Sequence, residues 1–165
     1  MSGELKKDRH IVFSIDDIVY SSPLSSVSKI LELKSFDKIP YAPDFVIGET
    51  YYEENNIYIV DFKKIFKKNQ TSEHGNILLI YKSSPHLVSI VADKLERINY
   101  LDLDTVHHDK LINSKEAKVI KGSYRYKDKT AFIIDISGVV ELDYFRNLEE
   151  SEEDQSSNLL EASGG

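Results

Sequence analysis

Apolar residues fall in short runs along this chain, many of them alternating with polar ones. The runs are HIVFSI from His10, IVY from Ile18, VSKILEL from Val27, DFVIGETYY from Asp44, NIYIVDF from Asn56, NILLIYK from Asn76, HLVSIVAD from His86, KLERINYL from Lys94, AKVIKGSYRY from Ala117 and TAFIIDI from Thr130. Branched and flat side chains dominate them, and such side chains suit a pleated surface. Turn-forming pieces separate the runs: Asp16-Asp17, Glu54-Asn55-Asn56, Ser83-Ser84-Pro85 and Lys127-Asp128-Lys129. About ten strands at spacings near ten residues predict a mainly β sandwich or barrel rather than alternating strands and helices.

One pattern occurs twice. GETYYEENNIYIVDF from Gly48 returns 74 positions later as GSYRYKDKTAFIIDI from Gly122. Four of the fifteen positions are identical, and Ile57-Tyr58-Ile59-Val60 lies against Ala131-Phe132-Ile133-Ile134. Each copy reads as a hairpin whose leading Gly marks a bend or bulge where a Cβ would clash. A fainter echo aligns PLSSVSKILEL from Pro23 with VADKLERINYL from Val91 at an offset of 68. The six-residue difference fits a longer loop in the second copy, around DTVHHDKLIN, which costs little because loop closure depends weakly on length. A duplicated fold of two similar lobes follows.

Two helices are predicted. DFKKIFKK, from Asp61, gives one or two turns with Phe62, Ile65 and Phe66 on one side. SGVVELDYFRNL, from Ser137, offers Ser137 as N-cap and apolar residues at helical spacing. From Glu149 to Gly165 the chain is acidic, rich in Ser and poor in core formers, and reads as a disordered tail. The folded part is thus expected over residues 8–148, as two lobes roughly at 10–68 and 75–148 whose exact exchange of strands is open.

Charge and composition narrow the function classes. The net charge of −7 argues against general nucleic-acid binding, which needs Lys and Arg to displace counterions. No Cys is present, so no disulfide or thiolate metal site can form. No run approaches the roughly 20 apolar residues of a membrane span, and the first apolar run is too early and short for a secretory signal, so a cytoplasmic protein without membrane insertion is expected. A search for catalysis is empty: no GxSxG, Walker-type or GxGxxG motif occurs. His107 and His108 are adjacent and would diverge; His10, His74 and His86 read as surface residues at strand starts. Asp61 and Asp135 each precede a predicted helix, where a carboxylate caps exposed N–H groups. The four Lys of FKKIFKKN read as a solvated helix face, with an anion site as the other possibility. Neither metal nor cofactor is expected, and no enzymatic activity.

The stretch IPYAPDFVIGETYYEENNIYIVDFKKIF resembles the CheW-like family of bacterial chemotaxis adaptors. Pro40, Ala42, Pro43, Phe45, Gly48 and Asp61 match that family's pattern without a gap. LVSIVADKLERI is similar to its second-lobe strand pair, and VIKGSYRYKDKTAFIIDISGVV, with Gly122 and Asp135, to its closing hairpin and final helix. The resemblance implies two five-stranded, SH3-like barrel lobes packed on a shared core, with a short helix after each closing hairpin. It also implies a scaffold without catalysis, whose partners are the cytoplasmic tip of a chemoreceptor and the regulatory domain of a CheA-type histidine kinase. By position it carries Val27, Lys29, Ile30, Glu53 and Val88 into the partner-binding surface.

Two of those positions depart from the family. Glu53 stands where the family usually has an Arg used in receptor coupling, with Glu54 where a Gly is usual, and Lys29 stands where a Glu is common. If the two sites are neighbours, the pair has kept its attraction with signs exchanged, which bears on partner choice more than on stability. An alternative function, binding of a small ligand or single-stranded nucleic acid, would need an exposed aromatic platform with basic neighbours, for which Tyr124, Arg125, Tyr126 and Lys127 are the candidates.

Overall fold

The computed structural model describes residues 7–66, 73–83, 86–108, 118–142 and 144–148. The acidic tail, Lys67, Lys68, Ser84, Pro85 and the second half of DTVHHDKLIN lie outside the described residues. Among the described residues ten strands form: β1 (Lys7–Ile15), β2 (Ile18–Pro23), β3 (Val27–Glu32), β4 (Val46–Tyr52), β5 (Asn55–Val60), β6 (Ile77–Tyr81), β7 (Leu87–Ala92), β8 (Lys94–Asp102), β9 (Ile120–Tyr126) and β10 (Lys129–Ile134). Helix α1 (Phe62–Ile65) follows β5 and α2 (Ile136–Val140) follows β10. The strands make two five-stranded sheets, ordered β8-β1-β2-β10-β9 and β3-β6-β7-β5-β4. Mainly β, two lobes and short helices: the expected fold class is the observed one.

The two orders are the same order. Strands β3 to β7 form one sheet in unbroken sequence, whereas β8 to β10 are completed by β1 and β2 from the beginning of the chain. Neither sheet therefore coincides with the segment 10–68 or 75–148. Superposing the two orders sets β8 on β3, β9 on β4, β10 on β5, β1 on β6 and β2 on β7. The registers agree with that superposition: Leu31 lies opposite Leu78 in one sheet and Asn99 opposite His10 in the other.

The repeated glycines have a shared cause. Residues 35–37 cross β4, and Asp37 exchanges two backbone hydrogen bonds with Glu49, at 2.8 and 2.9 Å. His107 does the same with Ser123 on β9, at 2.8 and 2.9 Å. Each crossing segment passes over the glycine beside its bridge. A Cβ on Gly48 would stand 2.4 Å from the Asp37 carbonyl oxygen, and one on Gly122 would stand 2.9 Å from Val106 Cγ1. Each hairpin also carries its bulge here, at Ile47 in β4 and Lys121 in β9.

Strand alternation explains why so many residues are buried on both faces. Ile11, Phe13 and Ile15 of β1 point into a core shared by the two sheets, and Val12 points into the interior of its own lobe. In β6, Leu79 and Tyr81 enter the shared core while Leu78 faces its own lobe. The helices interlock the halves. Phe62 of α1 meets Tyr20 of the opposite sheet edge-on at 5.6 Å, and Phe145 meets Tyr58 of the opposite sheet at 5.6 Å. Ser22 and Tyr81 share a buried hydrogen bond of 2.6 Å between the sheets.

Asp61 and Asp135 cap their helices, accepting from the N–H groups of Lys63 (3.0 Å) and Ser137 (3.2 Å). Ser137 is thus not the N-cap expected for the second helix. Asp135, two residues earlier, has the extended backbone a cap requires, and the Ser137 hydroxyl donates to the same carboxylate. Residues 144–148 are helical again beyond Leu142.

Two histidines read as surface residues are buried. His86 is 8% exposed and packs edge-on against Tyr58; His10 is 2% exposed inside the lobe of β1, with Nδ1 3.2 Å from Ser21 Oγ. Desolvation pushes the His10 pKa below its ordinary value, against the pull of Asp8 and with the help of Lys121. A depressed folded-state pKa gives stability that is fully present above the unfolded value, near 6.5, and declines as pH falls below it. Thermal stability should therefore fall between pH 7 and pH 5, by at most about 1.4 kcal/mol per pH unit from this group. His10→Leu, which copies Leu78 of the other lobe, should flatten that part of a melting-temperature profile; an unchanged slope would remove His10 as its source.

Candidate protein-binding site

Among the described residues, strand β3 lies at the edge of its sheet, paired only with β6. Four of its six residues are exposed. Val27 packs at the margin of the shared core, and Ile30 is 38% exposed, a large apolar side chain turned outward. Lys29 reaches from β3 across to the β4–β5 turn. Its Nζ lies 2.9 Å from Glu53 Oε1, donates to the Tyr52 hydroxyl at 3.0 Å and sits 4.9 Å above the Tyr52 ring. The exchanged pair thus exists as a contact. The hydrogen bonds to Tyr52 and Glu53 push the Lys29 pKa up, and Lys29 holds the Glu53 carboxyl below its usual range, so both are charged at neutral pH.

Glu53 and Glu54 form the β4–β5 turn with φ of 48° and 66°. Left-handed values at both central residues suit the twist of a tight hairpin, and they are usually met with Asn or Gly. Here two glutamates adopt them, both exposed, and the Glu53 carboxylate meets Lys29.

Val88 does not belong to this surface. Strand β7 is the middle strand of its sheet, and Val88 is fully buried in the shared core, in parallel register with Tyr58. A partner cannot touch it. The Pro40–Phe45 segment positions the start of β4: the Pro43 carbonyl accepts from Val46 N–H at 3.0 Å, Phe45 enters the core, and its carbonyl accepts from Asp61 N–H at 2.8 Å. In the second copy, Val119 accepts from Asp135 N–H at 2.8 Å.

The aromatic platform required by a nucleic-acid reading is absent from Tyr124 and Tyr126. Both rings face the interior of their lobe, 2% and 7% exposed, while Arg125 and Lys127 point outward. Among the described residues, no three His, Asp or Glu side chains converge as metal ligands, and no helix is long and apolar enough to cross a membrane.

Two surface features escaped sequence reasoning. Ile98 and Tyr100 on β8 are 46% and 70% exposed. The offset of 68 already set Ile98 on Ile30, so the pairing of the echo was the signal available. The second is a groove of about 500 Å³ between β3 and β4, lined by Leu31, Leu33, Thr50, Tyr51, Tyr52 and Leu78 among others.

The arrangement suits recognition of proteins: edge strands, outward apolar side chains and a fixed ion pair on a rigid sheet. A family model described as CheW-like domain matches residues 9–143. Among solved structures, the crystal structure of the scaffolding protein TtCheW from Thermoanaerobacter tengcongensis superposes with a TM-score of 0.74, over 82% of this chain and 89% of that one, at 19% sequence identity. No curated protein matches the chain.

Proposed function

The chain belongs to the CheW-like domain family, and on that premise we propose that it is an adaptor of chemotaxis signalling. It joins the cytoplasmic tips of chemoreceptors to the regulatory domain of a CheA-type histidine kinase and performs no chemistry of its own. Its resemblance in fold to a scaffolding protein supports this reading. The observation that carries the site is the Lys29–Glu53 ion pair on an edge strand that also turns Ile30 outward, on its other face. Apolar area there supplies contact, of the roughly 800 Å² per partner that a standard interface buries. The charges select the partner, since like charges facing each other across an interface oppose binding strongly.

Calorimetric titration of the full chain with the kinase regulatory domain and with a receptor signalling fragment, both from the same genome, tests the reading. Binding to neither at about 50 μM would remove it. Lys29→Glu sets two carboxylates against each other in place of the ion pair and should weaken receptor binding roughly tenfold or more. Adding Glu53→Lys restores an attractive pair in reversed order and should recover part of that loss. Unchanged affinity for Lys29→Glu would dismiss the pair while leaving the adaptor role standing.

A further inference from the structure

The two sheets have four edges, and they are not guarded alike. Crossing segments cover two of them: Asp37 bridges to Glu49 on β4, and His107 to Ser123 on β9. Lys29 ties the third, β3, to the β4–β5 turn through Tyr52 and Glu53. Among the described residues the fourth, β8, has no such tie. At the offset of 68, Arg97 stands in the place of Lys29; at the offset of 74, Lys127 stands in the place of Glu53. Two cations do not make the pair, and Arg97 Nε donates instead to the neighbouring Ile98 carbonyl, at 3.4 Å. This untied edge is also the one that carries the exposed Ile98 and Tyr100.

The hairpin that joins β1 to β2 fixes which way the β8 main chain faces. Asp16 and Asp17 both have positive φ, 51° and 66°, so Ile15 and Ile18 close a tight turn as a hydrogen-bonded pair. Counting back in twos, Phe13, Ile11 and Arg9 direct their main-chain groups to β2. Pro23, opposite His10, then falls where no N–H is needed. His10 and Val12 therefore face β8, where they meet Asn99 and Arg97. Ile98 and Tyr100 turn their N–H and C=O groups the other way, to the open edge. The bulge at Glu96 and the turn that begins at Leu103 limit the regular stretch to Arg97–Asp102. Between those two charged residues, neither a Pro nor a further charge blunts the edge.

We propose that β8 is a self-association surface: two copies of the chain pair antiparallel along their β8 edges, about a two-fold axis at Asn99. In this register Ile98 of each copy faces Tyr100 of the other. Both residues point their main chains across the contact, so each of the two pairs exchanges two N–H···O=C bonds. Branched–aromatic pairs across strands are favourable ones, and these two bring together the apolar side chains that each copy alone leaves in water. The same patch serves both copies, so the contact closes at a dimer. It spans a few residues a side, well below the roughly 800 Å² per partner of a standard interface, and a dissociation constant of about 0.1–1 mM is expected. The contact does not depend on the adaptor reading. The Lys29–Glu53 pair lies in the other lobe, so the dimer carries two such pairs outside the contact.

Sedimentation of the full-length chain from about 10 μM to 1 mM, at about 0.15 M salt to screen its net charge of −7, reads the dimer. In an equal mixture of isotope-labelled and unlabelled chain, filtered NMR should show a contact between the Ile98 methyl groups and the Tyr100 ring. Ile98→Lys with Tyr100→Lys sets like charges in both pairs and should raise the dissociation constant at least about tenfold. Ile98→Lys with Tyr100→Glu sets opposite charges in the same pairs and should recover most of that loss. Both positions are exposed, so circular dichroism should report an unchanged fold in either double variant. Ile30→Lys, on the edge strand of the other lobe, should leave the dimer as it is. A chain that stays monomeric at about 1 mM, equal association by the two double variants, or loss of the dimer in Ile30→Lys would each overturn the proposal.

Discussion

Gly48→Ala should lower stability by about 3 kcal/mol, the upper end of what overpacking costs, which for a chain of this length is a fall of roughly 6–12 °C in melting temperature. The added carbon would lie 2.4 Å from the Asp37 carbonyl oxygen and 2.5 Å from Phe36 Cδ2. The oxygen cannot retreat alone, because Asp37 is held to Glu49 by two backbone hydrogen bonds. Gly122→Ala is the graded comparison. Its Cβ would meet Val106 Cγ1 at 2.9 Å, which a small shift of that side chain relieves, and the His107 carbonyl oxygen at 3.0 Å, a backbone contact 0.6 Å longer than the one at Gly48, so about 1 kcal/mol is expected. Thermal unfolding followed by circular dichroism checks both. Equal losses, or none at Gly48, would dismiss the crossing segment as the reason for the repeated glycine.

Phe62→Ala should be larger still, about 3–5 kcal/mol, because a fully buried phenyl ring leaves a cavity that the surrounding sheets cannot close. Phe62 follows the last strand of one hairpin and packs against Tyr20 of the other sheet, so its loss reaches both lobes. A single unfolding transition moving downward as a whole is therefore expected. Guanidinium melts read by circular dichroism and by tyrosine fluorescence should coincide in wild type and variant. Separation into two steps would mean that each lobe stands on its own interior, against the shared core described here.

How far the sequence could be read depended on whether a feature is local. The hairpins at Gly48 and Gly122 were legible because bulge, turn, closing strand and capping Asp lie within fifteen consecutive residues and occur twice. The neighbours of each strand were not, since alternation identifies a strand without saying what lies beside it. Nothing in HIVFSI indicates that it completes a sheet with strands some eighty residues later. Val88 was misplaced for a related reason. LVSIVA reads as a strand buried on both faces, and only the family resemblance carried it to the surface. The meeting of Lys29 with Glu53 was foreseeable because opposite signs had been exchanged at two positions. Ser137 was taken for a cap because Ser and Asp both favour that place, and only backbone geometry separates them.

The completion of the second sheet by the first two strands has a consequence for biosynthesis. As the chain leaves the ribosome, β1 and β2 emerge first, yet their partners β8 and β10 are among the last folded parts to be made. Strands β3 to β7 can assemble meanwhile, since all their partners lie between Val27 and Ala92. The leading hairpin must wait with two apolar edges uncovered, a state that invites pairing with other nascent chains. A holding chaperone acting on β1 and β2 would guard that interval of synthesis.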